Sequence, residues 1–368
     1  MSKALLFIPD ISGFTSFVNQ TEAKHQNHIL EELLELLIDS NTLGLKLAEI
    51  EGDALFYYQD ENVPELQAVI EMAENMYIRF HNHLRYYDTH RLCHCGACQN
   101  ATGLTIKFVI HYGEISFLKI KDRVAKPHGI RVIEAHRLLK NAIVSDEYIL
   151  RSETTLELCE EDIFSQSNGW TEMTETYGDN DVGEIKYAYR DIHDLRSKLA
   201  SPKALKNGFQ SEHPVRYSII IDKEAVDLFE MILDHKKRVD WSPFIDDIQV
   251  DKDHLNHEGQ VHTCVIQGNE NEVVSVNADF GKDAWVLGEK GSIPILGDIF
   301  TYYILRPLSE QQSEVTFEAH VKPSNLLAKL FNVFFRFKMS SIQKEMAISL
   351  KKYAEQEELL NIRPLNET

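Results

Sequence analysis

Strand-like and helix-like hydrophobic periods alternate twice along this chain, and a patternless stretch divides the two cycles. Period-two runs bury one face of a sheet and period-3.6 stripes bury one face of a helix, so each cycle needs both kinds of layer. The first cycle opens with a strand at Ala4–Ile11 that ends in a Ser-Gly turn. Residues 25–41 follow as a helix, on Ile29, Leu33, Leu36, Leu37 and Leu43 at helical spacing. Leu45–Tyr58 reads as a β-hairpin turning at Gly52-Asp53, and Glu65–Tyr86 as a long helix. Leu104–His111 and Glu114–Ile120 read as a strand pair about Tyr112-Gly113, Gly129–Asn141 as a helix and Glu184–Asp191 as a terminal strand.

From Asp194 to Pro214 the pattern dissolves into Ser, Pro, Lys and Gly, the composition of a boundary. A second cycle starts with a strand at Val215–Ile221 and the helical stretch Lys223–Val239. Strand-like runs follow at 246–251, 260–267, 272–279, 283–289, 299–306 and 313–321, and an amphipathic helix from about Asn325 to Glu357 closes the chain. No internal repeat relates the halves. A length of 368 residues suits two cores better than one. The expected organisation is an α+β domain over 1–195 with a Cys-rich insertion at about 88–101, a linker over 196–213, a second α+β domain over 214–360 and a tail over 361–368.

The 58 acidic residues outnumber 38 basic ones, a net charge of −20, which excludes the broad basic face of a general nucleic-acid binder. Against that background Lys119, Lys121, Arg123, Lys126, Arg131, Arg137 and Lys140 form a basic strip, offset only by Asp122 and Glu134. It reads either as a solvated face or as a local anion site. No apolar run reaches the roughly 18 residues of a membrane span, and the N-terminus turns polar too early for a secretory signal. Five cysteines, three of them crowded together, do not make a disulfide framework, so a cytoplasmic setting is expected.

Two acidic turns stand out, Pro9-Asp10-Ile11-Ser12-Gly13-Phe14-Thr15 and Glu49-Ile50-Glu51-Gly52-Asp53-Ala54. Each sets an Asp at a strand end, where carboxylates from neighbouring strands can share a hard cation such as Mg²⁺ or Mn²⁺. Taken singly, each Asp is equally a turn cap. Together the segments D-I-S-G-F-T and G-D-A resemble the class III nucleotidyl (adenylate and guanylate) cyclase catalytic domain. The resemblance continues at Phe108-Val-Ile-His-Tyr-Gly-Glu114, similar to the family's G-I-H-x-G-E, and at Gly129-Ile-Arg-Val-Ile-Glu-Ala-His-Arg137-Leu138, similar to its G-x-x-V-N-x-A-x-R-L helix.

That resemblance implies a ferredoxin-like core and a homodimer with active sites built across its interface. It implies that Asp10, Asp53 and the Ile11 carbonyl hold two divalent ions, that Gly13, Phe14 and Thr15 cradle phosphate, and that Arg137 stabilises transition-state charge on the α-phosphate. Glu49 falls at the position that reads the purine, where a carboxylate suits guanine, and Lys126 falls at the second such position. Three departures stand against this. Ile133 replaces the helix Asn that orients the ribose, Lys126 replaces an acid, Cys or polar neutral, and the phosphate-binding Lys is missing at Asp179-Asn180-Asp181.

Cys93, Cys95 and Cys98, with His90 and His94 nearby, leave three readings open: a Zn²⁺ site, a redox pair in C-x-x-C, or reduced loop thiols. The second cycle resembles the START-like (SRPBCC, polyketide cyclase-like) helix-grip architecture, and Trp241-Ser-Pro-Phe244-Ile resembles that family's W-x-x-F/W-I turn. In that fold a cavity lies between the sheet and the last helix. Trp241, Trp285, Tyr302, Phe331, Phe334 and Phe335 would then line a site for a hydrophobic small molecule or lipid, or else form an ordinary core. His262 and Cys264 are expected as core residues. The pairing also resembles an uncharacterised bacterial family of unknown function. Two functional readings follow: a nucleotidyl cyclase tuned by an apolar ligand, or a degenerate cyclase-homology domain that senses nucleotide or dimerises.

Overall fold

The computed structural model of the protein describes residues 2–19, 23–92, 95–120, 123–159, 169–176, 183–203, 207–250, 257–294 and 296–361. Two compact units emerge, Met1–Asp88 with Gln99–Pro202, and Thr89–Cys98 with Lys203–Thr368. The cysteine-bearing segment, expected in the first domain, therefore groups with the second unit.

In chain order the first half carries β1 (Ser2–Ser12), α1 (Phe14–Asn19), α2 (Ala23–Asp39), β2 (Lys46–Glu51), β3 (Ala54–Gln59), α3 (Leu66–His90) and α4 (Gly96–Asn100). Then come β4 (Thr105–Ile120), β5 (Arg123–His128), α5 (Ile130–Leu138), β6 (Tyr148–Ser152), β7 (Thr171–Thr176) and β8 (Glu184–Asp191). The main sheet runs β2-β3-β1-β4-β6-β8-β7, with β5 paired to the far end of β4. Among the described strands only β4 and β6 run parallel, which requires the crossover that carries α5.

The strand pair expected about Tyr112-Gly113 is instead one continuous strand. β1 pairs with β4 over eleven consecutive residues, from Ser2↔Ile115 to Ser12↔Thr105, and Gly113 sits opposite Ala4 in mid-ladder. Gly113 serves close packing rather than a turn, since a Cβ there would lie 2.7 Å from Arg131 Cγ. The hairpin turns at Gly52-Asp53 as expected, with Gly52 at φ 66°, in the left-handed region.

Along β1, Ala4, Leu6 and Ile8 join Ala54, Phe56, Val109, Ala135 and Leu138 in one buried cluster, so α5 covers that face. Phe7 takes the opposite face, stacking on Phe108 at 5.9 Å and packing on Tyr57 at 6.2 Å. By alternation Asp10 continues the α5 face.

The second half carries β9 (Val215–Ile221), α6 (Ala225–Leu233), α7 (His235–Trp241), β10 (Ile245–Gln249), β11 (Val261–Ile266), β12 (Asn269–Val276), β13 (Trp285–Ile293), β14 (Gly297–Ser309), β15 (Gln312–Pro323) and α8 (Leu326–Asn361). Its antiparallel sheet runs β10-β11-β12-β13-β14-β15-β9, with α8 packed on β9 and β15. The α6–α7 break falls at Asp234, whose side chain accepts from the backbone amides of Lys236 and Lys237 and so caps α7.

Candidate functional site

β1 and the β2–β3 turn bring the two aspartates together. Asp10 is the register partner of Ala54, and the Ile11 amide donates to the Asp53 carbonyl at 3.1 Å, clamping the turn against β1. Both carboxyls are pushed above the usual range. For Asp10 the main cause is burial, with the Asp53 charge adding to it and Lys107 opposing it. For Asp53 burial again dominates. Lys107, the β4 register partner of Asp10, sets its Nζ 3.2 Å from Asp10 Oδ2. A half-buried acidic pair with one lysine beside it is a donor set that fits a hard divalent cation, because added positive charge relieves the burial cost. Among the described residues no group of three or more His, Cys, Asp or Glu is arranged to hold a metal ion.

Glu49 is paired with Phe56 across the hairpin and so shares the α5 face. Its carboxylate is ion-paired with Lys126 of β5, which brings the two expected purine-reading residues into contact. Arg137 lies half-buried on the last turn of α5. Ile133 of the same helix is 44% exposed and offers no hydrogen bond. Gly13 takes φ 86° to turn the chain into α1, with Phe14 and Thr15 opening that short helix next to Asp10. Asp179, Asn180 and Asp181, and the side chains of Lys119, Lys121 and Arg123, lie outside the described residues.

Two buried polar networks were not legible in the sequence. His111 Nδ1 lies 2.8 Å from Ser152 Oγ, and its Nε2 lies 3.0 Å from Glu134, which also accepts from Arg131 Nη1 at 2.7 Å. A cavity of about 250 Å³ opens on this cluster. Elsewhere Glu147 gathers His193 at 2.7 Å, Arg196 at 2.5 Å and His81 at 3.3 Å. Burial opposes the Glu147 charge, yet Arg196 and His193 outweigh it and hold the carboxyl below the usual range. Burial lowers His81 to about 4. Only the fold joins these positions, since His81 stands 66 residues before Glu147 and Arg196 stands 49 residues after it.

In the cysteine segment, Cys95 and Cys98 are buried and not joined in a disulfide, and the Cys98 amide donates to Cys95 Sγ at 3.5 Å. Cys93 and His94 lie outside the described residues.

The six aromatics expected around one cavity in the second unit do not converge. Tyr303 shares a sheet face with its partners Leu287 and Phe317, and Trp241 packs edge-on to Phe317 at 6.4 Å. Trp285, two residues before Leu287, packs on Phe229 of α6 on the same face. Tyr302 points to the other face, where it packs on Phe280 at 5.0 Å and its hydroxyl donates to the Phe209 carbonyl at 3.1 Å. Strand alternation therefore parts Tyr302 from the two tryptophans. Phe334 is 77% exposed and faces outward, Phe335 is half-buried, and the Phe331 side chain lies outside the described residues.

What the helix-covered face holds instead is a buried ionic network. Arg238 of α7 makes a bidentate pair with Glu289, at 2.6 and 2.8 Å, and His262 lies 3.3 Å from the same carboxylate. Burial opposes ionisation of Glu289, but the Arg238 charge overcomes it and holds the carboxyl far below its usual range. Burial pushes the Cys264 thiol up to about 12, so it stays protonated, and lowers His235 to about 4. A cavity of about 470 Å³ does lie along α8, lined by Phe209, His213, Val215, Val321, Asn332 and Arg336 among others. A second, of about 710 Å³, is lined by Arg91, Glu258, Asn277, Phe280, Lys282 and Val286 among others.

Residues 30–148 match a family described as "Protein of unknown function (DUF2652)". The chain is 30% identical over 163 residues to "Uncharacterized protein Rv2561/Rv2562" of Mycobacterium tuberculosis, covering 44% of this chain and 76% of that protein. It belongs to the family of that mycobacterial protein. Among solved structures it is similar to the guanylyl cyclase Cya2, with 18% identity and a TM-score of 0.39 over 52% of this chain and 96% of that one. It is also similar to the adenylyl cyclase CyaB from P. aeruginosa, with 18% identity and a TM-score of 0.37 over 52% and 95%. A START superfamily protein from Mycobacterium smegmatis gives 12% identity and a TM-score of 0.29 over 39% and 98%.

Proposed function

We propose that the first unit is a class III cyclase-type domain that binds a nucleoside triphosphate with divalent metal and closes it to a 3′,5′-cyclic nucleotide. The observation that carries this reading is the approach of Asp10 and the Asp53 turn on the sheet face that α5 covers, with both carboxyls raised by burial. Asp10, Asp53 and the Ile11 carbonyl would hold the ions. When bound, these supply Lewis-acid activation of the ribose hydroxyl and neutralise triphosphate charge. In the reaction the 3′ hydroxyl would lose its proton to solvent, its oxygen would bond to the α-phosphorus, the bond to the β-phosphate oxygen would break, and pyrophosphate would leave. Arg137 would steady charge at the α-phosphate, Gly13, Phe14 and Thr15 would position phosphates, and Glu49 with Lys126 would select the base. Lys107 would give up its contact with Asp10 as the metal enters.

The second unit, proposed as a START-like helix-grip domain over 214–360, would regulate the first through a hydrophobic ligand in the cavity along α8. The cyclase-like domain is proposed over 1–195, acting as a homodimer in the cytoplasm. A second reading, a degenerate nucleotide sensor or dimerisation module, is favoured by Lys107 on Asp10 and by the exposed Ile133 at the ribose-orienting position. One assay separates the two. The full chain with Mn²⁺ and each of the four nucleoside triphosphates is expected to release pyrophosphate, and Asp53→Ala to abolish that release. Metal-dependent nucleotide binding without release by the native chain would overturn cyclisation and leave the sensor reading. Absence of both binding and release would overturn cyclisation and the sensor reading alike and leave only the dimerisation module.

A further inference from the structure

The first half of α8 presents a large apolar surface to solvent. Leu326, Leu327, Val333, Phe334 and Phe337 are 56–78% exposed, whereas Ala328 is buried and Phe335 half-buried on the side packed against the sheet. At 100° per residue the five exposed positions fall within an arc of about 120°. Lys329 and Lys338, both exposed, flank this arc, one on each side. The patch extends beyond the helix. The Ser324 amide donates to the Leu296 carbonyl at 3.3 Å, which sets the β13–β14 connection, with Ile293 and Pro294 exposed, beside the start of α8. Contiguous apolar surface rimmed by charge marks an interaction site rather than scattered exposure.

Charge identifies the occupant. From Lys322 to Lys344 the chain carries Lys322, Lys329, Arg336, Lys338 and Lys344 and no Asp or Glu, in a protein whose net charge is −20. A second copy docked by the same face would set lysines against lysines across the two-fold axis. A surface that is anionic outside and apolar beneath satisfies both halves of the patch at once. We propose that the first half of α8, with the Ile293-Pro294 connection, docks on an anionic lipid bilayer, lying in the headgroup plane with Phe334 and Phe337 inserted and Lys329 and Lys338 on lipid phosphates. No described helix is long and apolar enough to cross a membrane, so the contact is peripheral. The inference rests on the second unit alone and does not need the nucleotide reading.

The test is co-sedimentation of the full chain with vesicles of phosphatidylcholine mixed with phosphatidylglycerol, against phosphatidylcholine alone. Binding is expected only to the anionic vesicles and is expected to fall in high salt. The double variant Phe334→Ser/Phe337→Ser is expected to weaken binding at least about tenfold while leaving the melting temperature unchanged, because both rings are exposed. Lys329→Glu/Lys338→Glu is expected to weaken it as well, which separates loss of charge contact from loss of insertion. No binding to anionic vesicles at low salt, or binding unchanged in both variants, would overturn the proposal. So would a dimer that the Phe334→Ser/Phe337→Ser variant dissociates in sedimentation without any vesicle binding by the native chain.

Discussion

Methionine in place of either member of the Arg238–Glu289 pair leaves the other charge buried without its bidentate partner. Arg238 is 1% exposed and Glu289 7%, so water cannot take over the lost contacts. Removing one member of such a pair costs about 3–5 kcal/mol, because the survivor keeps its desolvation penalty, whereas replacing both with apolar side chains is often nearly neutral. In a unit of this size 1 kcal/mol moves the melting temperature about 2–4 °C, so each single variant is expected to melt roughly 10 °C lower. The two singles are not expected to be equal. Glu289 can take up a proton or lean on His262 at 3.3 Å once Arg238 is gone, while a stranded guanidinium stays charged over the Tyr303 ring at 5.4 Å. Glu289→Met is therefore the worse of the two. The double variant is expected to be more stable than either single, a coupling of about 2 kcal/mol or more. Thermal and urea unfolding of the full chain, followed through Trp241 and Trp285 fluorescence, reads all four proteins. Singles within 1 kcal/mol of the native chain, or a double variant whose loss equals the sum of the singles, would refute the reasoning.

Stability of the first unit is expected to fall as pH drops from about 6.5 to 4. His81 is held near 4 by burial, so the unfolded chain takes up a proton in that window that the folded chain refuses, worth about 3 kcal/mol. Glu147, with its lowered value, adds a further loss below the ordinary carboxylate range. Urea unfolding at pH 7.5 and pH 5 checks this, and His81→Gln should flatten the difference; an unchanged slope would show that His81 is not the group. If the nucleotide reading holds, Glu49→Lys sets a second lysine against Lys126 and removes the carboxylate facing guanine. Preference for GTP over ATP in the pyrophosphate assay is then expected to fall about tenfold, the worth of one good base contact, and an unaltered preference would remove Glu49 from base selection.

The Asp10 and Asp53 turns could be read because Asp, Gly and Ser in a strand-end turn are a local signal, and β8 and β9 begin and end where the pattern predicts. β6 and β7 carry no legible period in the sequence, for opposite reasons. The five residues of Tyr148–Ser152 are all buried and too short to show a period, and Thr171–Thr176 is polar almost throughout. At Gly113 a local turn signal was misleading, because glycine in this ladder admits the Arg131 side chain rather than reversing the chain.

Sequence by itself determined most of the strands and helices, the division into two cycles and the acidic turns, since all of these arise from periodicity and turn chemistry within a few residues. It could not decide which face of a strand or helix turns inward, because alternation is the same for either choice and only register against a partner breaks the tie. Tertiary structure therefore decided that Tyr302 and Tyr303 serve different cores, and that Phe334 and Phe337 look outward. It also decided that Lys107 meets Asp10 and that Arg238 finds Glu289 across 51 residues of chain.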